Sequence, residues 1–392
     1  MKLFNFFTIA CLLTSLLGCN RSQSPEASSS DDVDILKDCP VVARYQVIGG
    51  DSVLVCDAKA VKEEIEAPLS SLLNSYEVIA LDTCREALCS PGGTATVSSR
   101  YLVINGDEEP LRLFERRTGK YLRQIGKRGE GPREYPDALG VQIEEDSDIV
   151  FVSARHPNRI LQYKLSTGDF EKEYRLLYRI GSHFHCNLEE REITVMRSPY
   201  PPYTEGECFF WKQTFEGELI HGISGIEQMG LSPRNRGNGY LDDRSNCFYV
   251  SLWDTTLVKP DTLYRYDTKE NRLIPQFVTE WGEKIPLHSY MEFPDYYYCE
   301  TIDKDKTHLL IHKHTGKGAK IKVGLDMFGK ELELEKLSVH SYNSSYFTFL
   351  FDPLQLADVL QQEEQQKTLA GKTMHPDSLQ NENSWVFIGK WR

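Results

Sequence analysis

The chain has 392 residues, of which 40% are hydrophobic and 26% are charged, and its formal net charge is -13. That hydrophobic content is enough for the core of one large domain or two ordinary ones. The acidic balance argues against nucleic acid as a partner, because phosphate backbones are bound by clustered Lys and Arg. The chain also has 20 Tyr, 18 Phe and 5 Trp, and aromatic side chains favour strands.

The N-terminal residues 1–18 are typical of a signal peptide, because Lys2 precedes an apolar run over residues 3–17 that is short for a membrane span. The tetrapeptide Leu-Leu-Gly-Cys that ends at Cys19 resembles a bacterial lipobox, which implies lipidation of that thiol. A plain signal peptide with another cleavage site is the alternative. Residues 19–34 are rich in Ser, Asp and Glu and are predicted to be a flexible tether. We therefore expect a cell-envelope protein, lipid-anchored to the outer membrane and facing either the periplasm or the surface.

Eight cysteines remain after the predicted cleavage and lipidation, an even number that permits disulfides in an exported chain. Cys39 and Cys56 flank an apparent hairpin, and Cys84 with Cys89 would close a small loop. Buried free thiols are the alternative. No CxxC pair is present, so a zinc ribbon is not predicted. The eight are Cys39, Cys56, Cys84, Cys89, Cys186, Cys208, Cys247 and Cys299.

The first predicted elements precede any repeat. Residues 41–56 alternate between apolar and polar positions and turn at residues 49–51, a pattern that indicates a hairpin. Residues 68–75 are predicted to form a short helical turn or loop, and residues 77–81 a strand.

A unit of strand, strand, glycine turn and strand then recurs. The turn glycines of the first three units are Gly119, Gly168 and Gly217, and both intervals equal 49 residues. A period near fifty residues with several short strands per unit is typical of a propeller blade. The first three units cover residues 101–125, 148–176 and 192–223; a looser fourth covers 247–278; a fifth has strands at 308–312, 319–324 and 331–337 around a turn at 328–330.

We therefore predict an all-β fold, a six-bladed β-propeller with four-stranded antiparallel blades, over residues 35–392. Isolated blades cannot bury both faces of their sheets, so they must pack around an axis. Ring closure would pair the C-terminal strand at residues 385–391 with strands from the other end of the chain, such as residues 77–81. A short helical insertion is predicted at residues 353–369, ending at Gly371.

Four stretches carry a family resemblance: residues 114–135 with the loop GKRGEGPREY, 261–265 (DTLYR), 281–286, and 382–392. They resemble the six-bladed β-propeller lipoproteins common in Bacteroidota, a family related to NHL-repeat propellers, over most of the chain after about residue 69. Arg133 departs from the resemblance, because a second glycine of a GPGEY-like pattern is expected there. The resemblance implies a fold and export, but little chemistry.

The loop at residues 126–135 is the candidate ligand site. Its glycine amides are suited to an anion, and loops are where propellers bind ligands. The alternative is that its glycines and proline only shape the crossing between two blades. It lacks the Walker pattern. The candidate residues are Lys127, Arg128, Gly129, Gly131, Arg133 and Tyr135.

Aromatic residues provide a second candidate surface. Exposed tyrosines offer flat faces and hydroxyls suited to sugar rings or peptides, whereas between blades they would be core. The candidate platform consists of Tyr200, Tyr203, Tyr296 and Tyr297. The histidine pairs 183/185 and 312/314 would each project from one face of a strand, but neither has an assigned third ligand, so no metal and no cofactor are predicted.

Motifs of hydrolases are missing, since the sequence has neither a GxSxG elbow nor HExxH. The leading hypothesis is a non-catalytic, lipid-anchored propeller that binds a glycan, a peptide or a partner protein. The alternative is a lactonase-like or lyase-like propeller enzyme with a metal in the channel, because propeller active sites are assembled from different blades.

Overall fold

The structure is a computed structural model, and the strands that it contains are short and almost all antiparallel. It describes residues 34–90, 92–106, 108–154, 158–179, 183–197, 204–226, 236–242, 247–253, 262–283, 285–301, 306–324, 326, 342–343, 346–354, 367–369, 372–374 and 383–392.

The N-terminal segment consists of four strands and short helical turns. The predicted hairpin is confirmed, with Gly49 and Gly50 at positive φ in a two-residue turn. The elements are β1 (Ala43–Ile48), β2 (Asp51–Asp57), a 3-10 turn (Ala58–Ala60), β3 (Glu64–Pro68), α1 (Leu69–Leu72) and β4 (Leu73–Ala80), followed by a 3-10 turn (Arg85–Ala87).

The first three blades are four-stranded antiparallel sheets whose strands follow one another in the chain. Blade 1 contains β5 (Thr94–Val97), β6 (Tyr101–Asn105), β7 (Leu111–Glu115) and β8 (Tyr121–Ile125). Blade 2 contains β9 (Ala138–Glu144), a 3-10 turn (Glu145–Ser147), β10 (Ile149–Ala154), β11 (Arg159–Lys164) and β12 (Phe170–Arg175). Blade 3 contains β13 (His183–Asn187), β14 (Glu192–Met196), β15 (Cys208–Thr214) and β16 (Leu219–Ser224).

The other three blades each take strands from the N-terminal segment. Blade 4 contains β17 (Arg236–Asp242), β18 (Cys247–Trp253), β19 (Thr262–Asp267) and β20 (Arg272–Glu280), and blade 5 contains β21 (His288–Glu292), β22 (Tyr296–Thr301), β23 (His308–His312) and β24 (Gly318–Gly324). Blade 6 contains β25 (Tyr342–Asn343), β26 (Tyr346–Phe351), β29 (Trp385–Trp391) and β4; β27 (Lys367–Leu369) and β28 (Lys372–Met374) form a separate hairpin.

The six blades form a ring, so the predicted six-bladed propeller is confirmed. The predicted closure is also confirmed, because β29 pairs with β4 and places Ile388 opposite Glu77. The rest of the N-terminal segment extends two outer strands of the ring. β2 pairs in parallel with β20 of blade 4, and β3 pairs in parallel with β24 of blade 5. The sequence contained no signal for these parallel pairings.

The hydrophobic core lies between neighbouring blades. Leu113 and Ile125 of blade 1 pack in one cluster with Val152 and Leu161 of blade 2, and all four side chains are buried. The next cluster joins aromatic and aliphatic residues of blades 2 and 3 in the same way. Each sheet is thus covered on both faces, which removes apolar surface from water at about 25 cal/mol per Å².

The recurring turn glycines join one blade to the next. Gly119, at φ 69°, donates its amide to Glu115 within its own turn and accepts a hydrogen bond from the amide of Asp82, just after β4 of the neighbouring blade. A Cβ on Gly119 would overlap the carbonyl oxygen of Ala80. Gly119 therefore lies where the backbones of two blades touch.

The same arrangement appears twice more. The carbonyl of Gly168 accepts from the amide of Gly126 at 2.9 Å, and the carbonyl of Gly316 accepts from the amide of Ala43 at 3.0 Å. Gly217 differs, because the nearest atom to a Cβ there would be 4.0 Å away.

The prediction for the fifth unit was wrong by one strand. Residues 308–312 are the third strand of blade 5 and residues 318–324 the fourth, with the turn glycine at Gly316. The first two strands, β21 and β22, were missed because their aromatic residues were interpreted as a cluster rather than a hairpin. The predicted turn at 328–330 and strand at 331–337 lie outside the described residues.

The predicted helical insertion at residues 353–369 is confirmed at its start and wrong at its end. Pro353 and Leu354 are helical, residues 355–366 lie outside the described part, and Lys367–Leu369 is strand β27. No described helix is long and apolar enough to cross a membrane.

 

The cysteines whose side chains are described are all free thiols, so the two disulfides that the sequence permits, Cys39–Cys56 and Cys84–Cys89, are absent. Cys56 and Cys89 are buried, which agrees with the alternative of buried free thiols. Burial raises the pKa of Cys56 to about 12 and that of Cys89 to about 11, so both are protonated at neutral pH.

Candidate functional site

The connections between strands differ at the two ends of each blade. Because the blades are antiparallel, the links from first to second and from third to fourth strand lie at one end, and the remaining links lie at the other. The described blades have tight turns at the first end, such as residues 98–100 and 165–169. The second end, called here the long-loop end, has the longer connections, such as residues 81–93, 126–137 and 352–384. Binding residues are found preferentially on such loops.

Two connections of the long-loop end are joined by Glu109, which precedes β7. Its carboxylate accepts hydrogen bonds from the amide and hydroxyl of Ser90 and pairs with Arg112. Arg112 also donates to the carbonyl of Glu86 at 2.9 Å. Burial opposes ionisation of Glu109, but the hydrogen bonds from Ser90 and Arg112 prevail and lower its pKa. The charged form thus holds residues 81–93 against blade 1.

Arg128 joins the next two connections. Its Nε donates to the carbonyl of Pro136 at 2.9 Å, and its Nη1 donates to the carbonyl of Glu108 at 3.0 Å. The guanidinium therefore links the turn before β7 to the crossing between blades 1 and 2. Its fixed fork of donors suits this bridging role better than a lysine would.

A cleft of about 650 Å³ opens beside this link. The wall contains two cations, two carboxylates, an amide and two prolines. Lys127 is 73% exposed and forms an ion pair with Glu134 at 2.9 Å. The lining residues are Glu108, Pro110, Gln124, Lys127, Arg128, Gly129, Glu130 and Pro136.

The loop that forms one wall is held together by its own hydrogen bonds. The amide of Gly129 donates to the carbonyl of Tyr135, and the amide of Gly131 donates to the carboxylate of Glu134. The ion pair with Lys127 and the amide of Gly131 lower the pKa of Glu134. These glycine amides are therefore already engaged and do not form the anion cradle considered from sequence, so recognition at the cleft falls to side chains.

Arg159, on β11 of blade 2, holds this loop against the blade. Its side chain is only 5% exposed and donates to the carbonyls of Gly131, Pro132 and Glu134 at 3.2, 3.1 and 2.7 Å. The carboxylate of Glu173 balances its charge at 2.8 Å. One buried guanidinium therefore determines the path of the loop.

Tyr135 anchors the end of the loop in the core. Its hydroxyl donates to the carbonyl of Ile125 at 2.7 Å and accepts from the amide of Leu111 at 2.9 Å, and its ring is 1% exposed. Tyr163 packs edge-on against it and donates to the carbonyl of Arg133 at 3.1 Å. Burial raises the pKa of Tyr135 to about 12.

The predicted loop residues are thus divided between two roles. Lys127, Arg128 and Gly129 line the cleft, whereas Gly131 and Tyr135 maintain the loop. Sequence reasoning missed Glu108, Gln124 and Glu130 in the cleft wall, and Arg159 beneath the loop. Only Glu130 lies in the loop at residues 126–135; Gln124 lies just before it within residues 114–135, and no motif connects either residue with Glu108 or Arg159.

The predicted aromatic platform is not formed by its described members. Tyr297 is 4% exposed and stacks on Phe277 with ring centroids 4.7 Å apart. Tyr296, the preceding residue of β22, points to the opposite face of the sheet and contacts His312. The two tyrosines therefore cannot share a ligand-binding face. Tyr200 and Tyr203 lie outside the described residues.

The two histidine pairs lie in different blades. His183 and His185 lie in β13, whereas His312 ends β23 and His314 lies in the following turn. The ring of His312 accepts the amide of His314 at 3.1 Å. Within the described residues, no group of three or more His, Cys, Asp or Glu side chains is placed to hold a metal ion.

Six four-stranded antiparallel blades in a ring define this protein as a β-propeller with a cleft at its long-loop end. The chain belongs to the family described as Domain of unknown function (DUF4934), whose profile matches residues 52–390. A comparison with curated proteins finds no match.

Two solved structures from Bacteroides match this chain. A presumed exported protein from Bacteroides fragilis NCTC 9343 is 18% identical, with a TM-score of 0.58, over 85% of this chain and 99% of the other. A member of the DUF4221 family from Bacteroides vulgatus ATCC 8482 is 11% identical, with a TM-score of 0.47, over 81% of this chain and 96% of the other. At these identities the first likeness supports the fold alone.

Proposed function

We propose that the protein is an exported, lipid-anchored propeller that binds a ligand without transforming it, at the cleft beside residues 126–137. The observation that carries this proposal is the way the cleft is built. Its walls come from connections of blade 1 and of the crossing to blade 2, and Arg128 and Arg159 fasten them to each other and to the scaffold. A site on rigid elements binds without the cost of ordering its own loops.

The groups in the wall favour a ligand with hydroxyl and amide groups, which is a glycan or a peptide. Gln124 can donate or accept hydrogen bonds, the two carboxylates accept them, and Lys127 is an exposed donor. Glu108 and Glu130 lie beside Lys127 and Arg128, so the cleft has no excess positive charge. A polyphosphate would be repelled by the two carboxylates.

The proposed cellular location depends on the N-terminal sequence. The signal-like residues 1–18, the lipobox ending at Cys19 and the polar tether that follows support export and anchoring. The anchor would hold the propeller near a membrane, in the periplasm or at the surface.

Screening the purified protein on glycan and peptide arrays, followed by titration calorimetry, tests the ligand site. We expect Lys127→Ala and Gln124→Ala to weaken the binding of any hit about tenfold, the effect of one lost hydrogen bond to a charged or polar group. Lys120→Ala is the matched control, because Lys120 is an exposed lysine in the tight turn at the other end of blade 1. Equal losses in Lys120→Ala and Lys127→Ala would place the site elsewhere.

A separate experiment tests the anchor. Metabolic labelling with a fatty-acid analogue should modify the parent chain and not Cys19→Ser, and the variant should leave the membrane fraction. Labelling that persists in Cys19→Ser would contradict the lipobox assignment. Turnover of an array hit, with a stoichiometric metal in the purified protein, would favour the enzyme alternative over a binding role.

A further inference from the structure

Strand β1 is the outer edge of the sheet that contains blade 4, and it carries exposed apolar side chains. The order in this sheet is β1, β2, β20, β19, β18 and β17, so among the described strands β1 has a neighbour on one side only. Val47 is 78% exposed and Tyr45 is 52% exposed. Edge strands are usually protected by charged side chains, proline or a bulge, and β1 has one charged side chain, Arg44, but neither proline nor a bulge.

The hairpin register determines which backbone groups of β1 are open. Ile48 and Asp51 flank the two-residue turn and form a hydrogen-bonded pair, so the pairing type alternates from there. Gln46 and Arg44 therefore direct their backbone groups towards β2. Tyr45 and Val47 direct theirs outwards, and in the described part of the chain no backbone hydrogen bond reaches them.

The outward backbone groups of Tyr45 and Val47 can pair with the same groups of a second copy of the chain. If two β1 strands run antiparallel about a two-fold axis through Gln46, Tyr45 lies opposite Val47 of the other copy, and Val47 opposite its Tyr45. Each of these pairs exchanges two hydrogen bonds, which gives four in all. The Tyr45 and Val47 side chains then cover one another on the same face.

We propose that the protein dimerises through antiparallel pairing of β1 with β1 of a second copy, in the register centred on Gln46. The chain itself offers a poor alternative strand, because the preceding residues 20–33 are polar, contain Pro25 and have low strand propensity. The assembly stops at a dimer, because a two-fold interface uses the same edge of both copies and leaves none free for a third.

The length of the edge limits the strength of the dimer. The amide of Ala43 is already bonded to the carbonyl of Gly316, and the Gly49–Gly50 turn ends the strand on the other side. Only a short segment remains for pairing, so we expect a reversible monomer–dimer equilibrium. Each copy has a net charge of -13, so added NaCl should strengthen the dimer by screening repulsion.

Crosslinking tests the register. Gln46 of the two copies forms a non-hydrogen-bonded pair with Cα atoms about 4.5 Å apart, within the range of a disulfide. In a Cys84→Ser background, which removes an exposed thiol, Gln46→Cys should form a disulfide-linked dimer under mild oxidation. Arg44→Cys is the control, because the two Arg44 positions lie about 14 Å apart in this register. Equal crosslinking of both variants would overturn the proposal.

Sedimentation velocity over a concentration series tests the backbone pairing. Val47→Pro removes an amide that points outwards, so the hairpin keeps its internal bonds while two of the four dimer bonds are lost. We expect the dissociation constant of the dimer to rise at least about tenfold. Val47→Thr keeps the amide and should dimerise with a smaller loss. A parent chain that stays monomeric at every concentration and salt, or a Val47→Pro variant that dimerises like the parent, would contradict the proposal.

Discussion

The turn at Gly119 and the loop at residues 126–135 both contain glycines at which a Cβ would overlap other atoms, but the atoms differ. At Gly119 a Cβ would overlap the backbone of Ala80, and the equivalent glycines of blades 2 and 5 meet backbone in the same way. In the loop, a Cβ on Gly126 would instead meet the ring of Tyr163 at 2.5 Å, and one on Gly129 would meet the carboxylate of Glu134.

The difference separates architecture from a specialised site. A contact between backbones recurs where two blades meet in the same geometry, as at Gly119, Gly168 and Gly316, whereas Gly217 keeps the 49-residue interval without such a contact. A contact with side chains depends on residues that only one junction has, such as Arg159 and Tyr163. The loop is therefore particular to the junction of blades 1 and 2, which is why the cleft lies there.

The largest expected effect comes from removing the buried cation beneath the loop. Arg159→Met leaves Glu173 and three carbonyls without their donor, and we expect a loss of about 3 kcal/mol or more of unfolding free energy in urea. Arg175→Met is the control, because Arg175 lies 3.6 Å from the same carboxylate but is 92% exposed. Similar stabilities of the two variants would show that the loop does not depend on Arg159.

The second effect concerns the architectural glycines. Gly119→Ala combines an unfavourable positive φ with overlap on Ala80, and we expect a loss of roughly 2–4 kcal/mol. Gly217→Ala has a positive φ without the overlap, so about 1 kcal/mol should be lost. Guanidinium unfolding of both variants measures how much the contact between blades adds to the cost of the positive φ. Equal losses of unfolding free energy would show that the positive φ alone accounts for the effect.

A smaller loss is expected from the hydroxyl that anchors the loop. Tyr135→Phe leaves the amide of Leu111 and the carbonyl of Ile125 unpaired in the core, at a cost of about 2 kcal/mol. Tyr121→Phe, in the adjacent strand, removes a hydroxyl for which the described residues show no hydrogen bond, and it should be near neutral. Both can be compared by thermal unfolding, and an unchanged midpoint for Tyr135→Phe would rule out the anchoring role.

The smallest effect is the dependence of this anchor on pH. Burial raises the pKa of Tyr135 from 10.0 to about 12, so the folded state holds the proton more tightly than the unfolded state. Its contribution is complete below pH 10 and is lost as the pH rises from 10 towards 12. At pH 10.5 the loss is about 1 kcal/mol. The melting temperatures of the parent and of Tyr135→Phe should converge as the pH rises from 8 to 11. A constant difference between them would show that Tyr135 is not the source of the pH dependence.

Much of the fold could be predicted because its signals are local. Glycine turns, alternating strands and a 49-residue interval all lie within short windows of sequence. The closure of the ring was predicted from unpaired strands at both ends, and β29 does pair with β4. The fifth unit was displaced because β21 and β22 are rich in aromatic residues and have no turn glycine between them.

The site could be predicted only where it coincides with an unusual stretch of sequence. Lys127 and Arg128 were found because they lie in a loop that does not recur. Glu108 comes from another connection, so nothing in the sequence places it opposite that loop, and the position of Gln124 on β8 just before the loop does not show that it lines the cleft. Tyr297 was misassigned because an aromatic residue in a strand has the same sequence whether it is exposed or packed on Phe277.

The sequence by itself determined the repeating strands, the turn glycines and the closure of the ring, because each depends on backbone geometry and a periodic pattern. Only the tertiary structure decided that the loop at residues 126–135 is seated on Arg159, that its glycine amides are already bonded, and that β1 is an edge among the described strands. These features depend on which distant residues meet when the blades pack together, and that pairing is not encoded in any local pattern.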